Sequence, residues 1–328
     1  MRVAAVSGGS RVLSVGAFRP ARVVSNAEVV EKIDSSDEWI RRRSGIVTRR
    51  FASDDDTVVT MAAAAGREAV ARAGLDATAV DAVLLATMSW VHQSPPAAPQ
   101  VAHEVGALGA AAVDLGVACA GFCHAVAMAD ALVRAGSARH VLVIGSEKMT
   151  DIVDRSDRAL AFLFADGAGA VLVGPADGPG IGPVVWGSDG SRSTLISHAV
   201  PWTSLREQPD IWPTMTMAGP EVFRWAVGEV IETARTAVKA AGLEPGELAA
   251  FVPHQANARI TDKMAASLGL PESCVVARDV ETAGNTSAAS IPLALDALLA
   301  SPDAPRGPAL LVGFGAGLSY SALVLDLP

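Results

Sequence analysis

Cysteine is scarce in this chain of 328 residues: there are three, Cys119, Cys123 and Cys274. An odd count over such a length gives no disulfide framework and, in a reducing compartment, leaves thiols that are buried or reactive. Charge is thin as well, 19% of residues against 50% hydrophobic. That balance excludes a disordered chain and supplies core for two ordinary domains or one large α/β unit. No apolar run approaches the roughly 18 residues of a membrane span. The patch at Met1–Arg11, broken by Gly8, Gly9 and Ser10, is too short for a signal-peptide core and lacks a cleavage site, so a cytoplasmic protein with no membrane partner is expected. A net charge of -9 argues against nucleic acid as a partner, because a phosphate backbone rewards basic surfaces. Metal-ligand spacing is missing too. His103-Glu104 lacks the second histidine of a metalloprotease helix, and His92, His124, His140 and His198 default to packing or surface roles.

One stretch runs against the acidic average: Arg41, Arg42, Arg43, Arg49 and Arg50 fall between positions 41 and 50. Two readings stand, a solvated helix face or a docking site for phosphate or an acidic partner. Two glycine-rich runs, Gly178–Gly182 and Gly313–Gly317, each lead into a strand pattern, so neither opens the helix that a dinucleotide fingerprint requires.

Strand-like runs at Ala82–Ala86, His140–Ile144, Ala168–Val173, Ala250–Val252 and Ala309–Val312 alternate with Ala-rich helical spacing at Val58–Ala73 and Val222–Ala241. Continuous apolar strands of this kind suit a sheet covered on both faces, an α/β fold. There is also an internal echo. The run ending at Thr87 corresponds to the one ending at His254, and His140–Gly145 corresponds to Pro308–Gly313. Two fused halves, 1–174 and 175–328, follow as the expectation, with the join in the Gly-, Pro- and Ser-rich stretch Gly174–Ser204.

Cys119 falls between a short strand ending near Gly116 and a helix running to Ala135. At such a junction, free backbone N–H groups and the helix dipole favour a thiolate, so its pKa is expected below the ordinary value of about 8.5. The bland alternative is a core cysteine in an Ala-rich helix, which is also the expectation for Cys123. His254 follows a buried strand, at the sheet edge where α/β proteins bind ligands. Asn285 opens another helix. Each alone reads as a structural histidine and a helix cap. Together they are two donors able to hold a carbonyl that becomes an oxyanion.

The motifs Asp34-Ser35-Ser36-Asp37-Glu38-Trp39-Ile40, Ala118-Cys119-Ala120-Gly121-Phe122, Asp166-Gly167-Ala168-Gly169-Ala170, Val252-Pro253-His254-Gln255-Ala256-Asn257, Gly284-Asn285-Thr286-Ser287 and Gly313-Phe314-Gly315-Ala316-Gly317 resemble, over essentially the whole chain, the β-ketoacyl-acyl carrier protein synthase III family of the thiolase superfamily. The resemblance implies a duplicated, five-layered αβαβα thiolase-like fold, a homodimer, and a Cys119–His254–Asn285 triad. It implies transfer of a starter acyl group from acyl-CoA to Cys119, then decarboxylative condensation with malonyl-acyl carrier protein. Acyl-CoA is a substrate, and no cofactor or metal is implied. The oxyanion at the acyl carbon would be held by the backbone N–H groups of Cys119 and Ala316. Trp39 and Arg158 match the pair that sandwiches the CoA adenine, Arg43 a CoA phosphate contact, Gly219 and Asn257 contacts to the pantetheine arm. Arg224 and Arg259 fall where basic residues meet the carrier protein. Phe162, Leu163, Phe164 and Phe314 match the acyl pocket, and Ser94 sits on the Trp90–Pro96 loop that reaches into the partner's pocket. Two other readings stand beside this one: acyl transfer from the same cysteine to a hydroxyl, amine or carrier thiol without decarboxylation, and a scaffold subunit. Fatty-acid and aromatic-polyketide initiation are both open.

Ser94 stands where some acetyl-preferring relatives carry an aromatic residue, which implies a roomier pocket. A panel of acyl-CoAs is therefore expected to show propionyl, short branched or longer starters accepted, and strict acetyl preference would refute this.

Overall fold

The computed structural model of the chain describes residues 8–178 and 180–328. The first seven residues of the Met1–Arg11 patch, and Pro179 of the second glycine run, lie outside the described residues.

Two five-stranded sheets carry the architecture. In the first, the order is Gly9–Phe18, Asp166–Ala176, Val141–Lys148, Ala82–Ala86, Ala111–Leu115. In the second it is Val185–Ser188, Ser319–Asp326, Pro308–Gly315, Ala250–Pro253, Val275–Val276. Read in that direction, both sheets have two antiparallel pairings followed by two parallel ones. The echo seen in the sequence is thus an echo of topology. The central strands are apolar and buried because helices cover both faces, and Ala82–Ala86 is buried at every residue.

Helices Gly121–Arg134 and Ser290–Leu299 lie between the sheets, each touching strands of both. Val58–Arg72, with Ala98–Val105 beside it, covers the outer face of the first sheet, and Glu229–Ala240 that of the second. The stack is therefore helix, sheet, helix, sheet, helix. Val58–Arg72 matches its spacing and starts at Thr57, whose side chain accepts from Thr60 N–H. The helix expected over Val222–Ala241 divides into Gly219–Ala226 and Glu229–Ala240. It breaks at Gly228, a poor helix former whose backbone leaves the helical region with φ -110° and ψ -86°. The connector expected from Gly174 starts later, because that strand keeps pairing to Ala176, opposite Gly9. The next sheet begins at Val185.

Small residues let the middle helices press against the strands. A Cβ on Gly145 would lie 2.2 Å from the Ala288 carbonyl oxygen, and one on Gly315 would lie 3.0 Å from the Cys119 nitrogen. These contacts bring the starts of both central helices to the same ends of their sheets. Gly145→Ala is expected to force the turn at Ala288 away from the sheet and to lower the urea unfolding free energy by about 1–3 kcal/mol. An unchanged midpoint and slope would show that the turn can yield.

Candidate active site

Cys119 sits in a 3-10 turn, Ala118–Ala120, that leads directly into the Gly121–Arg134 helix. The preceding residue, Ala118, has φ +45°, a left-handed conformation costly for an L-residue and found mainly where the surroundings enforce it. The cysteine is 8% exposed. Its thiol donates to Ser287 Oγ at 3.3 Å. Burial pushes it up to about 12, the Ser287 hydrogen bond and its own N–H oppose that rise, and Glu147 adds to it. This corrects the expected fall: desolvation of a sealed thiol outweighs what a helix mouth gives the anion. Cys123 is fully buried core, as expected.

Ser287 is itself left-handed, with φ +49°, and opens the second central helix through the 3-10 turn Ser287–Ala289. Its N–H donates to Asn285 Oδ1 at 2.9 Å. That bond occupies the carbonyl end of the Asn285 side chain and leaves Nδ2 as the free donor. The Asn285 backbone is fixed on both sides: its N–H reaches Leu163 O, and its own carbonyl accepts from Ala165 N–H, each at 2.9 Å.

His254 follows the Ala250–Pro253 strand and is 3% exposed. Burial drives it down to about 3, so the ring is neutral at physiological pH. Its Nδ1 lies 2.7 Å from Ser290 Oγ, and that oxygen already accepts from Gln255 N–H at 3.2 Å. In the tautomer whose Nδ1 accepts from the Ser290 hydroxyl, the ring proton sits on Nε2 and makes that nitrogen a donor. The ring also packs edge-on to Phe314, centroids 5.2 Å apart, one residue before the Gly315 that lies against Cys119. Cys119 and Asn285 thus share Ser287 as a partner, and His254 packs on Phe314, next in the chain to the Gly315 that lies against Cys119.

A groove of 670 Å³ is lined by Trp39, Arg43, Arg158, Gly219, Asn257, Arg224 and Arg259, so one surface gathers all seven residues expected for CoA and carrier protein. Within it the Arg158 guanidinium lies 5.2 Å over the Trp39 ring, and Arg259 lies 5.4 Å over Phe223. Asn257 caps the Ala258–Leu268 helix, accepting from Arg259 N–H at 2.9 Å, and donates to Arg43 O at 3.3 Å. Arg224 pairs with Glu221 at the surface.

The expected acyl-pocket residues are spread over the groove, the core and the surface. Phe162 and Leu163 line the groove, because the tight turns of Leu160–Phe164 put Phe162 edge-on to Trp39 at 5.2 Å. Phe164 is buried in a bridge to Asn285. Phe314 is buried between His254 and Trp225. Ser94 is exposed on the surface of its own chain. A separate cavity of 340 Å³ touches Ala118 and Ala316, with Met88, Ile196, Ser197, His198 and Met215 in its wall. Sequence reasoning missed those residues, which come from the loop after Ala86 and from two short strands, Ile196–His198 and Met215–Met217, without a motif. It also missed Glu147 and the role of Ser287. Among the described residues no helix is long and apolar enough to cross a membrane, and no cluster of His, Cys, Asp and Glu could hold a metal.

The profile of 3-oxoacyl-[acyl-carrier-protein] synthase III matches residues 113–190, and that of the C-terminal part of the same synthase matches residues 238–327. The β-ketoacyl-[acyl-carrier-protein] synthase III of Streptomyces lividans is 51% identical over 321 residues, covering 97% of this chain and 95% of its own. This chain belongs to the 3-oxoacyl-[acyl-carrier-protein] synthase III family. The mycobacterial β-ketoacyl-[acyl-carrier-protein] synthase III of Mycolicibacterium paratuberculosis is 49% identical, covering 100% of this chain and 99% of its own. Among solved structures, the priming β-ketosynthase of the R1128 polyketide pathway superposes with a TM-score of 0.97 at 50% identity, covering 100% of this chain and 98% of its own. The synthase III of Aquifex aeolicus gives 0.89 at 35%, covering 97% and 100%. The fold is thiolase-like, and the chain is a condensing acyltransferase of the synthase III kind.

Two pH dependences follow from the buried groups. Alkylation of Cys119 by iodoacetamide in the free enzyme, read at its peptide by mass spectrometry, is expected to be slow at pH 7 and still climbing at pH 10; a plateau near pH 8 would contradict the sealed thiol. For stability, the unfolded chain protonates His254 near 6.5 while the folded chain resists to about 3. The unfolded state binds more protons in between, so the His254 contribution is lost as pH falls from 6.5 toward 3. Urea titrations between pH 7 and 4 should show a shallower acid decline in His254→Asn than in the parent.

Proposed function

We propose that this synthase moves a starter acyl group from acyl-CoA onto Cys119 and condenses it with malonyl-acyl carrier protein, the first carbon–carbon bond of a fatty-acid or polyketide chain. The observation that carries the residue assignment is the bridge through Ser287, which holds the Cys119 sulfur by its hydroxyl and the Asn285 amide by its N–H. Acyl-CoA would lie in the groove with its base at Trp39 and Arg158, its phosphate at Arg43 and its pantetheine arm along Gly219 and Asn257. Its thioester then meets Cys119. The Cys119–carbon bond forms, and the tetrahedral oxyanion is held by the N–H groups of Cys119 and Ala316. The carbon–sulfur bond to CoA then breaks.

In the second half-reaction the carrier protein, acidic in character, docks at Arg224 and Arg259 and delivers malonyl thioester through the same groove. His254 Nε2–H and Asn285 Nδ2–H donate to its carbonyl oxygen. Loss of carbon dioxide puts charge on that oxygen, and the resulting enolate carbon attacks the acyl-cysteine. A neutral histidine is the right partner here, because it donates a hydrogen bond without having to release a proton. The cavity beside Ala118 and Ala316 has space for a starter larger than acetyl, and its apolar wall of Met88, Ile196 and Met215 fits an aliphatic one.

Two copies form the working unit. The Ala111–Leu115 strand ends the first sheet with one side unpaired, and Val113 on it is 45% exposed; such an edge invites pairing with its copy. The N-terminal half, 1–174 in the sequence reading, supplies the nucleophile, and the C-terminal half, 175–328, supplies the two donors. The cytoplasm, which keeps three unpaired thiols reduced, is the compartment that fits.

The test is stepwise. Incubation with acyl-CoAs should leave a thioester on Cys119, seen by mass spectrometry, and malonyl carrier protein should then release carbon dioxide and a β-ketoacyl product. Asn285→Ala should load the acyl group normally and lose about 10²–10³ in condensation rate. Acyl loading with transfer but no carbon dioxide would overturn the decarboxylative step, and no loading would overturn the nucleophile.

A further inference from the structure

Glu147 is a fully buried carboxyl group in which the reaction described above has no part. It ends the apolar run of the Val141–Lys148 strand and is 0% exposed. Among the described residues no cation pairs with it. Its partners are three hydroxyls and three backbone amides. Ser287 Oγ donates to Oε1 at 2.8 Å, and Ser89 Oγ donates to Oε2 at 2.5 Å with Thr87 Oγ1 at 3.2 Å. Met88 N–H and Ser89 N–H reach Oε2 at 3.1 Å, and Ala288 N–H reaches Oε1 at 3.4 Å.

Two features of this cage matter. The amides donate only, so they suit a carboxylate. The hydroxyls can turn from donor to acceptor, so they suit a carboxylic acid equally well. Glu147 can therefore change protonation state without leaving a polar atom unpaired, while burial without a cation raises its proton affinity. The second feature is connectivity. Ser287 Oγ accepts the Cys119 thiol at 3.3 Å and donates to Glu147 at 2.8 Å, which makes a continuous path of two hydrogen bonds from sulfur to carboxylate.

We propose that Glu147 stores the Cys119 proton for the lifetime of the acyl-enzyme, receiving it through the Ser287 hydroxyl. The inference rests on Cys119 being the acylated nucleophile. During acylation the thiol proton passes to Ser287 Oγ as the Ser287 proton passes to Glu147 Oε1. The sulfur lone pair forms the bond to the acyl carbon, and CoA leaves as a thiolate that takes its proton from solvent in the groove. In the condensation the enolate carbon bonds to the acyl carbon, the cysteine sulfur leaves with its electron pair, and the proton returns along the same path. The whole cycle then consumes one solvent proton, the one on CoA. The relay also removes a buried negative charge when the thiolate appears 3.3 Å from Ser287; without it, two anions would share one dry site.

The groups facing Glu147 are Cys119, neutral until it reacts, and the hydroxyls of Thr87, Ser89 and Ser287. Lys148, next in the chain, sends its Nζ away to Ser53 O at 2.9 Å, and His254 is held neutral by burial. Glu147 is thus the ionisable acceptor on this path.

The experiment uses the full-length enzyme and acetyl- or propionyl-CoA, with mass spectrometry for the thioester on Cys119 and infrared difference spectroscopy of the acylated minus free enzyme in water and in deuterium oxide. A deuterium-sensitive carboxylic acid carbonyl band is expected on acylation of the parent. Glu147→Gln is expected to acylate about 10²-fold more slowly and to lack the band, and Ser287→Ala, which cuts the path but keeps the carboxyl, should do the same. A purely structural role would lower the unfolding midpoint without touching the band. A thioester on Cys119 of the parent with no new acid band, or Glu147→Gln acylating at the parental rate, would overturn the relay and leave the nucleophile standing. Absence of any thioester on Cys119 would overturn the nucleophile and the relay together. Should Glu147→Gln fail to fold, the parental spectrum and Ser287→Ala decide.

Discussion

The structure depends on how closely two helix starts can be pressed onto two sheets. Gly145 and Gly315 remove the side chains that would hold the central helices away, so the backbone at Ala288 and at Cys119 meets the strands directly. One added methyl group at either place would collide with main chain, which cannot rotate aside as a side chain can. From that contact follows the 3.3 Å approach of Cys119 to Ser287, and through Ser287 the positions of Asn285 and Glu147. The two left-handed residues at the helix starts, Ala118 and Ser287, are the backbone cost of the same approach.

A second constraint is dryness. Burial raises the Cys119 thiol and the Glu147 carboxyl and lowers His254, so each group is pushed toward its neutral form. Hydrogen-bond donors in such surroundings act more strongly than they would in water, and they are already oriented before charge develops. The resting site consequently keeps its thiol protonated, and Glu147 can carry charge there because six hydrogen-bond donors surround it. On the proposed mechanism, charge is created when substrate arrives, at an oxygen held by His254 and Asn285 or by the backbone amides.

Much of this was legible in the sequence because the duplication and the proposed catalytic residues are local features. Strand runs ending at Thr87 and at His254 announce two similar halves, and the sheets repeat the same pairing scheme strand for strand. Cys119, His254 and Asn285 each sit within a short motif. What stayed hidden is non-local. Glu147 follows a run that reads as plain core, and its meaning emerges when Ser89 and Ser287, from distant segments, close around it. The same holds for the cavity wall, where Met88, Ile196 and Met215 converge from one loop and two short strands. The direction of the Cys119 shift escapes the sequence for a related reason: the helix mouth is visible there, whereas Ser287 and Gly315, which lie against the thiol, come from the other half.

The contact between Arg158 and Trp39 carries a consequence for recognition at the groove mouth. The guanidinium already covers the indole face at 5.2 Å, so an incoming purine gains only the difference between its own stacking and the cation–π contact it displaces. Attraction to the base is therefore an exchange reaction with a small net yield. On the proposed reading, stacking does little to tell a nucleotide-bearing thioester from one carried on a bare phosphopantetheine arm, so the two donors can take turns in one groove without either holding it shut.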